Sequence, residues 1–137
     1  MRLLIAACLA LMLAVTPTWA EDEEEDPIDA TLAGCLDLPS GQSTQGMVEC
    51  LDRAYQGWDA ALNSAYKELM DTLEPAQKDA LRASQRQWIA YRDSEQKFLQ
   101  SLAAAPDAGT IMRVTTNQAM VDLAKARVLL LRSYSQN

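Results

Sequence analysis

Apolar residues return every three or four positions along three long stretches of this chain. Leu51, Tyr55, Trp58, Leu62, Tyr66, Leu69 and Leu73 form the first stripe, the spacing of one helix face. Ser43 or Thr44 suits an N-cap, so a helix is expected from there to about Leu73. Glu74-Pro75 ends it. Proline disfavours the helical region for the residue before it and fits the first position of a new helix. A second helix is expected from Pro75 to about Ala104, with Leu81, Ser84 or Gln85, Trp88, Tyr91, Glu95, Phe98 and Leu102 turned inward. After the break at Pro106–Thr110, a third is expected from Ile111 to Ser133. Its inward face should carry Ile111, Val114 or Thr115, Ala119, Leu123, Ala126 and Leu130. Short connections favour antiparallel neighbours. The expected fold is all-α, an antiparallel three-helix bundle over residues 31–134.

The N-terminus follows other rules. Arg2, an apolar run from Leu3 to Val15 and small residues before Ala20 have the form of a secretory signal peptide, residues 1–20, cut after Ala20. The run is too short to span a bilayer. Six acids, Glu21 to Asp26, follow. Such a run repels itself and hydrates well, so residues 21–30 are expected to form an acidic disordered leader. Without the signal the chain carries 11 basic and 19 acidic residues, a net charge of −8. Without the six acids as well the net is −2. The acidity is thus concentrated in the leader. Nucleic acid wants a basic stripe and is not an expected partner; a basic protein is compatible.

Cys8 leaves with the signal, and Cys35 and Cys50 remain. In an oxidising compartment they are expected to pair. That closes a loop of about 16 residues, worth roughly 3 kcal/mol in the chain-entropy model. The bridge would tie the N-terminal segment to the first long helix. Leu32–Cys35 spells a lipobox, but six acids and Pro27 separate it from the apolar run, and acylation would orphan Cys50. No lipid anchor is expected.

The chemistry available is sparse. The chain has no histidine, the commonest general base and zinc ligand. It has no Gly-rich phosphate loop, and its acids are contiguous rather than spaced as in a calcium loop. No enzyme activity, cofactor or metal is expected. The conspicuous feature is instead a constellation. Tyr55, Asp59, Asn63 and Tyr66 share roughly one face of the first helix. Gln85, Trp88 and Arg92 share one face of the second, with Asp93 on its flank. Polar groups inside a bundle must be paired. One reading has Asp59, Asn63, Gln85 and Arg92 satisfying one another and fixing helix register. The other has Trp88, Tyr91 and Arg92 meeting a ligand or protein at the surface. Under the first, Arg92→Ala should cost several kcal/mol.

Cys50, then Tyr55-x3-Asp59-x2-Leu62-Asn63-x2-Tyr66, then Leu69 and Leu73, then Gln85-x2-Trp88-x3-Arg92-Asp93, and finally Arg127-x2-Leu130 resemble the LprI-like family of small secreted bacterial proteins. The family takes its name from a mycobacterial lipoprotein that inhibits lysozyme. The resemblance covers about residues 31–133. It implies a helical, disulfide-stapled envelope domain in the periplasm or outside the cell, and more loosely lysozyme inhibition. Many relatives carry a second cysteine pair where this chain has Gln96 and Ala119. Two functions follow as expectations. One is a non-enzymatic protein that binds a basic lysozyme or another cell-wall hydrolase. The other is a structural or accessory envelope module with a different protein partner, its Trp/Arg/Asp motif serving helix packing.

Overall fold

A computed structural model describes residues 25–136. Four helices follow one another: α1 (Pro27–Asp37), α2 (Thr44–Thr72), α3 (Pro75–Ala103) and α4 (Ile111–Ser135), with a 3-10 turn over Pro39–Gln42. The three long helices begin and end close to where proline, glycine and capping residues place them. Ser43 Oγ accepts from Gly46 N–H at 3.0 Å and opens α2. Gln77 Oε1 accepts from Glu74 N–H at 2.9 Å and opens α3.

The helical bundle expected from sequence is present, but its plan differs in two respects. First, the entry segment is itself a helix. Asp26 Oδ1 accepts from Ile28 N–H at 3.0 Å, and Pro27 takes the first helical position, where its missing N–H costs nothing. Residues 27–30, expected in the disordered leader, form the first turn of α1. The folded body therefore starts before residue 31. The signal peptide and Glu21–Glu24 lie outside the described residues.

Second, the three long helices do not share the core equally. Leu51, Ala54, Trp58, Leu62, Ala65 and Leu69 of α2 interlock with Val121, Ala124, Val128 and Leu131 of α4. The alanines at this seam let the two backbones approach, since interaxial distance follows side-chain size. Trp58 has no exposed surface; burying a side chain of this size stabilises by about 3 kcal/mol. α1 packs against α2, and α3 packs against α4. From α3 only Gln85 is buried, with Leu81 and Trp88 partly so.

The inward faces expected for α3 and α4 are accordingly corrected. Tyr91, Phe98 and Leu102 on α3 are exposed, as are Ile111 and Leu130 on α4. The buried α4 face is rotated to Thr116, Met120, Val121, Ala124, Arg127, Val128 and Leu131. The run Leu129–Leu131 offers apolar residues to more than one direction, and the face that α2 takes passes beside a charged residue, Arg127.

Cys35 and Cys50 are bridged, with Cα atoms 5.8 Å apart. The bridge fastens the end of α1 to the start of α2, and Arg53 Nη2 sits 2.7 Å from Cys35 Sγ. Glycine makes this corner feasible. A side chain at Gly41 would strike the Cys35 carbonyl, and one at Gly46 the Ser40 carbonyl.

Candidate functional site

The motif residues gather where α3 lies over the α2–α4 pair. Trp88 is at the centre. The Arg92 guanidinium lies 5.4 Å from its ring centroid and that of Arg127 6.0 Å, distances at which a cation is attracted to an aromatic face. Arg92 sits one turn beyond Trp88 on α3. Arg127 reaches across from α4.

The two arginines are satisfied differently. Arg92 Nη1 is 3.4 Å from Asp59 Oδ1 on α2, and its Nε and Nη2 are 3.0 and 2.8 Å from Asp93 Oδ1. Burial alone would lower its pKa, but the bond to Asp93 and the charges of Tyr55, Asp93 and Asp59 raise it. Arg127 is 9% exposed. Its Nε and Nη2 donate to Gln85 Oε1 at 3.1 and 3.0 Å, and Nη2 lies 3.2 Å from Ser84 Oγ. No carboxylate among the described residues pairs with it. Burial pushes its pKa down.

The surrounding motif residues fill supporting positions. Tyr55 is half-buried against the core. Its phenol is pushed up, first by burial, with Asp59 and Asp93 adding and Arg92 opposing. Leu62 belongs to the core. Asn63 does not join the polar cluster; its Nδ2 donates to the Asp59 carbonyl of its own helix at 2.9 Å. Asn63 and Tyr66 instead line an open cavity of about 290 Å³ with Arg82, Gln85, Arg86 and Ile89. The expected mutual satisfaction of Asp59, Asn63, Gln85 and Arg92 is thus split. Asp59 pairs with Arg92, while Gln85 serves Arg127. Gln96 lines another cavity, of about 350 Å³, with Leu99, Arg113, Asn117 and Met120.

A second cation–aromatic cluster went unread in the sequence. Lys125 and Arg132 of α4 lie 5.7 and 5.9 Å from the Trp58 ring centroid. Each is paired to α1, Lys125 with Asp29 at 2.5 Å and Arg132 with Asp26 at 2.9 Å. Burial tends to raise the Asp26 pKa, but the Ile28 N–H, the Arg132 bond and the Arg132 and Lys125 charges bring it below the ordinary value. Ile28 completes the clamp by packing on Gly57 of α2. The available signal was Asp26 before Pro27, with Ile28 and Leu32 four residues apart.

The model of a family described as "Lysozyme inhibitor LprI" matches residues 35–131. The chain belongs to the LprI family. The match opens at Cys35, includes both cysteines and every motif residue around Trp88, and omits most of α1. No curated protein matches the sequence. Among solved structures, this LprI domain is similar to a crystal structure of an uncharacterized protein from Burkholderia thailandensis, with 29% identity and a TM-score of 0.74. The alignment covers 81% of this chain and 56% of that one, so the LprI chain here spans little more than half the length of that relative. The shared fold carries no activity with it.

Proposed function

We propose that this LprI protein is a non-enzymatic binding protein of the cell envelope, acting outside the cytoplasm on a basic cell-wall hydrolase of the lysozyme type. The observation that carries the reading is the family match across residues 35–131, under the description of a lysozyme inhibitor. The net charge of −7 supports it, because an acidic protein is steered toward a basic partner and charge acts mainly on the encounter rate. The Cys35–Cys50 bridge supports an oxidising compartment.

Arg92 is poorly placed to meet a partner at the surface, because Asp59, Asp93 and Trp88 already engage it. Contact falls instead to acidic surface such as Glu49 and Asp52 on the outer face of α2, and to the leader. The internal pairing around Trp88 also favours a second reading, an accessory module for another envelope protein in which the motif only sets helix packing.

Clearing of a cell-wall suspension by lysozyme, followed with the purified oxidised protein at low and physiological salt, tests the proposal. Inhibition that weakens as salt rises supports it. Undiminished clearing at tens of micromolar protein overturns it in favour of the accessory module.

A further inference from the structure

Asn63, Tyr66 and Gln85 belong to the motif, yet helix packing uses their polar groups only in part. With Arg82, Arg86 and Ile89 they line the open cavity of about 290 Å³ between α2 and α3. Both charged side chains on its wall are arginines. Arg86 pairs with no carboxylate among the described residues, and Arg82 pairs only with Asp79. That pair is exposed at both ends and holds Arg82 weakly. The two arginines are also four positions apart on α3, where like charges work against the helix. Helix stability therefore gives no reason for placing both there.

Gln85 supplies a second, independent observation. It is only 8% exposed, and its Oε1 is occupied by Arg127. Its Nε2 finds no acceptor among the described residues, yet it is not sealed off; the side-chain atom that is both sealed and unpaired is Trp58 Nε1. Because Gln85 lines the cavity, this donor opens onto it. An amide whose oxygen accepts from a guanidinium becomes a stronger donor at its nitrogen, since bonds in a chain polarise one another. The charge of Arg127, which has no carboxylate of its own among the described residues, is thus relayed through Gln85 to the cavity. Asn63 offers the opposite function. Its Nδ2 is taken by the Asp59 carbonyl, which leaves Oδ1 as an acceptor.

We propose that this cavity binds a small hydroxylated carboxylic acid, the size of a single sugar acid. Arg86, Arg82 and Gln85 Nε2 hold the carboxylate, and a hydroxyl of the ligand donates to Asn63 Oδ1. Arginine forks match a carboxylate in shape as well as charge. The volume sits at the lower end of the range for ligand pockets, which suits one sugar unit rather than a polymer. The site stands apart from the lysozyme reading, since neither requires the other.

Calorimetric titration of the oxidised protein with sodium glucuronate tests the proposal, with glucose and inorganic phosphate alongside. Glucuronate should bind with a Kd of about 1 mM or below, the level open to a ligand of this size, and should shift the amide NMR signals of Asn63, Gln85 and Ile89. Glucose lacks the charge and phosphate lacks the hydroxylated body, so each should bind about tenfold more weakly or worse. Gln85→Glu keeps an oxygen for Arg127 but turns the donor facing the cavity into a repelling oxygen. Arg86→Gln removes an exposed charge. Each should weaken glucuronate binding about tenfold or more, with the helical signal retained. Absence of any saturable heat or shift with glucuronate overturns the proposal. So does phosphate that binds as tightly as glucuronate, which would make the cavity a site for bare anions, or glucuronate binding that survives Gln85→Glu unchanged.

Discussion

Gln85 Oε1 accepts two hydrogen bonds from the Arg127 guanidinium, at 3.1 and 3.0 Å, across the α3–α4 seam. A neutral amide is thus the principal partner of a buried charge. Gln85→Leu would strand that charge and should cost about 2–4 kcal/mol. Arg127→Met removes the charge itself and should cost less than Gln85→Leu. Urea unfolding of the two variants gives the order, and the reverse order would show that Gln85 is not what holds Arg127.

Arg92→Ala should be mild. Sequence alone, taking Arg92 as buried, gives several kcal/mol. In the structure its partners Asp59 and Asp93 are 41% and 50% exposed, so loss of these pairs and of the Trp88 contact should cost about 1 kcal/mol. Thermal melts at low and high salt measure it, and most of the loss should already be screened at 1 M salt.

Replacing both Cys35 and Cys50 by serine should lower stability by roughly 3 kcal/mol, the loop-closure value. The loss should be uneven. α1 keeps its ion pairs to Lys125 and Arg132, while the 3-10 turn loses its anchor. Limited proteolysis should cut first within residues 36–43, with the α2–α4 core resistant.

Acid should loosen α1 before the core. The folded Asp26 carboxyl lies below its ordinary value of 3.8, so the carboxylate binds fewer protons folded than unfolded. Its contribution is fully present above that ordinary value and is lost as pH falls through the lower folded one. Protection of α1 amides against hydrogen exchange should therefore decline below about pH 4, and Asp26→Asn should remove that dependence.

Gly46→Ala tests the corner. The new methyl would strike the Ser40 carbonyl, and backbone cannot yield as a flexible side chain does. A loss of about 2 kcal/mol is expected. Gly34→Ala, where nothing lies nearby, should be neutral or slightly stabilising through helix propensity.

The long helices were legible because their punctuation is local. Pro75 and the Pro106–Gly109 break act through their own dihedrals, whatever packs around them. α1 was not, because the acidic run before it reads as disorder, while the force holding it comes from Lys125 and Arg132, about a hundred positions away. The same distinction divides the candidate site. Spacing on each helix placed Trp88 beside Arg92 and turned Asp59 toward them. It could not say that Gln85 belongs to Arg127, since an amide facing an arginine 42 positions on has no sequence signature. The rotation of the α4 face has a related cause. A helix with apolar residues on more than one side is oriented by its neighbour, not by its own pattern.

The Asp26–Arg132 pair fixes how the molecule presents itself. It joins the point where the leader enters the fold to the last turns of α4, so both ends of the folded body leave from one pole. The turn between α3 and α4 lies at the other pole, roughly 30 Å away along the helix axes. Anything held through the leader would carry that far tip, and the cavity beside Gln96 and Arg113, outward like the head of a pin.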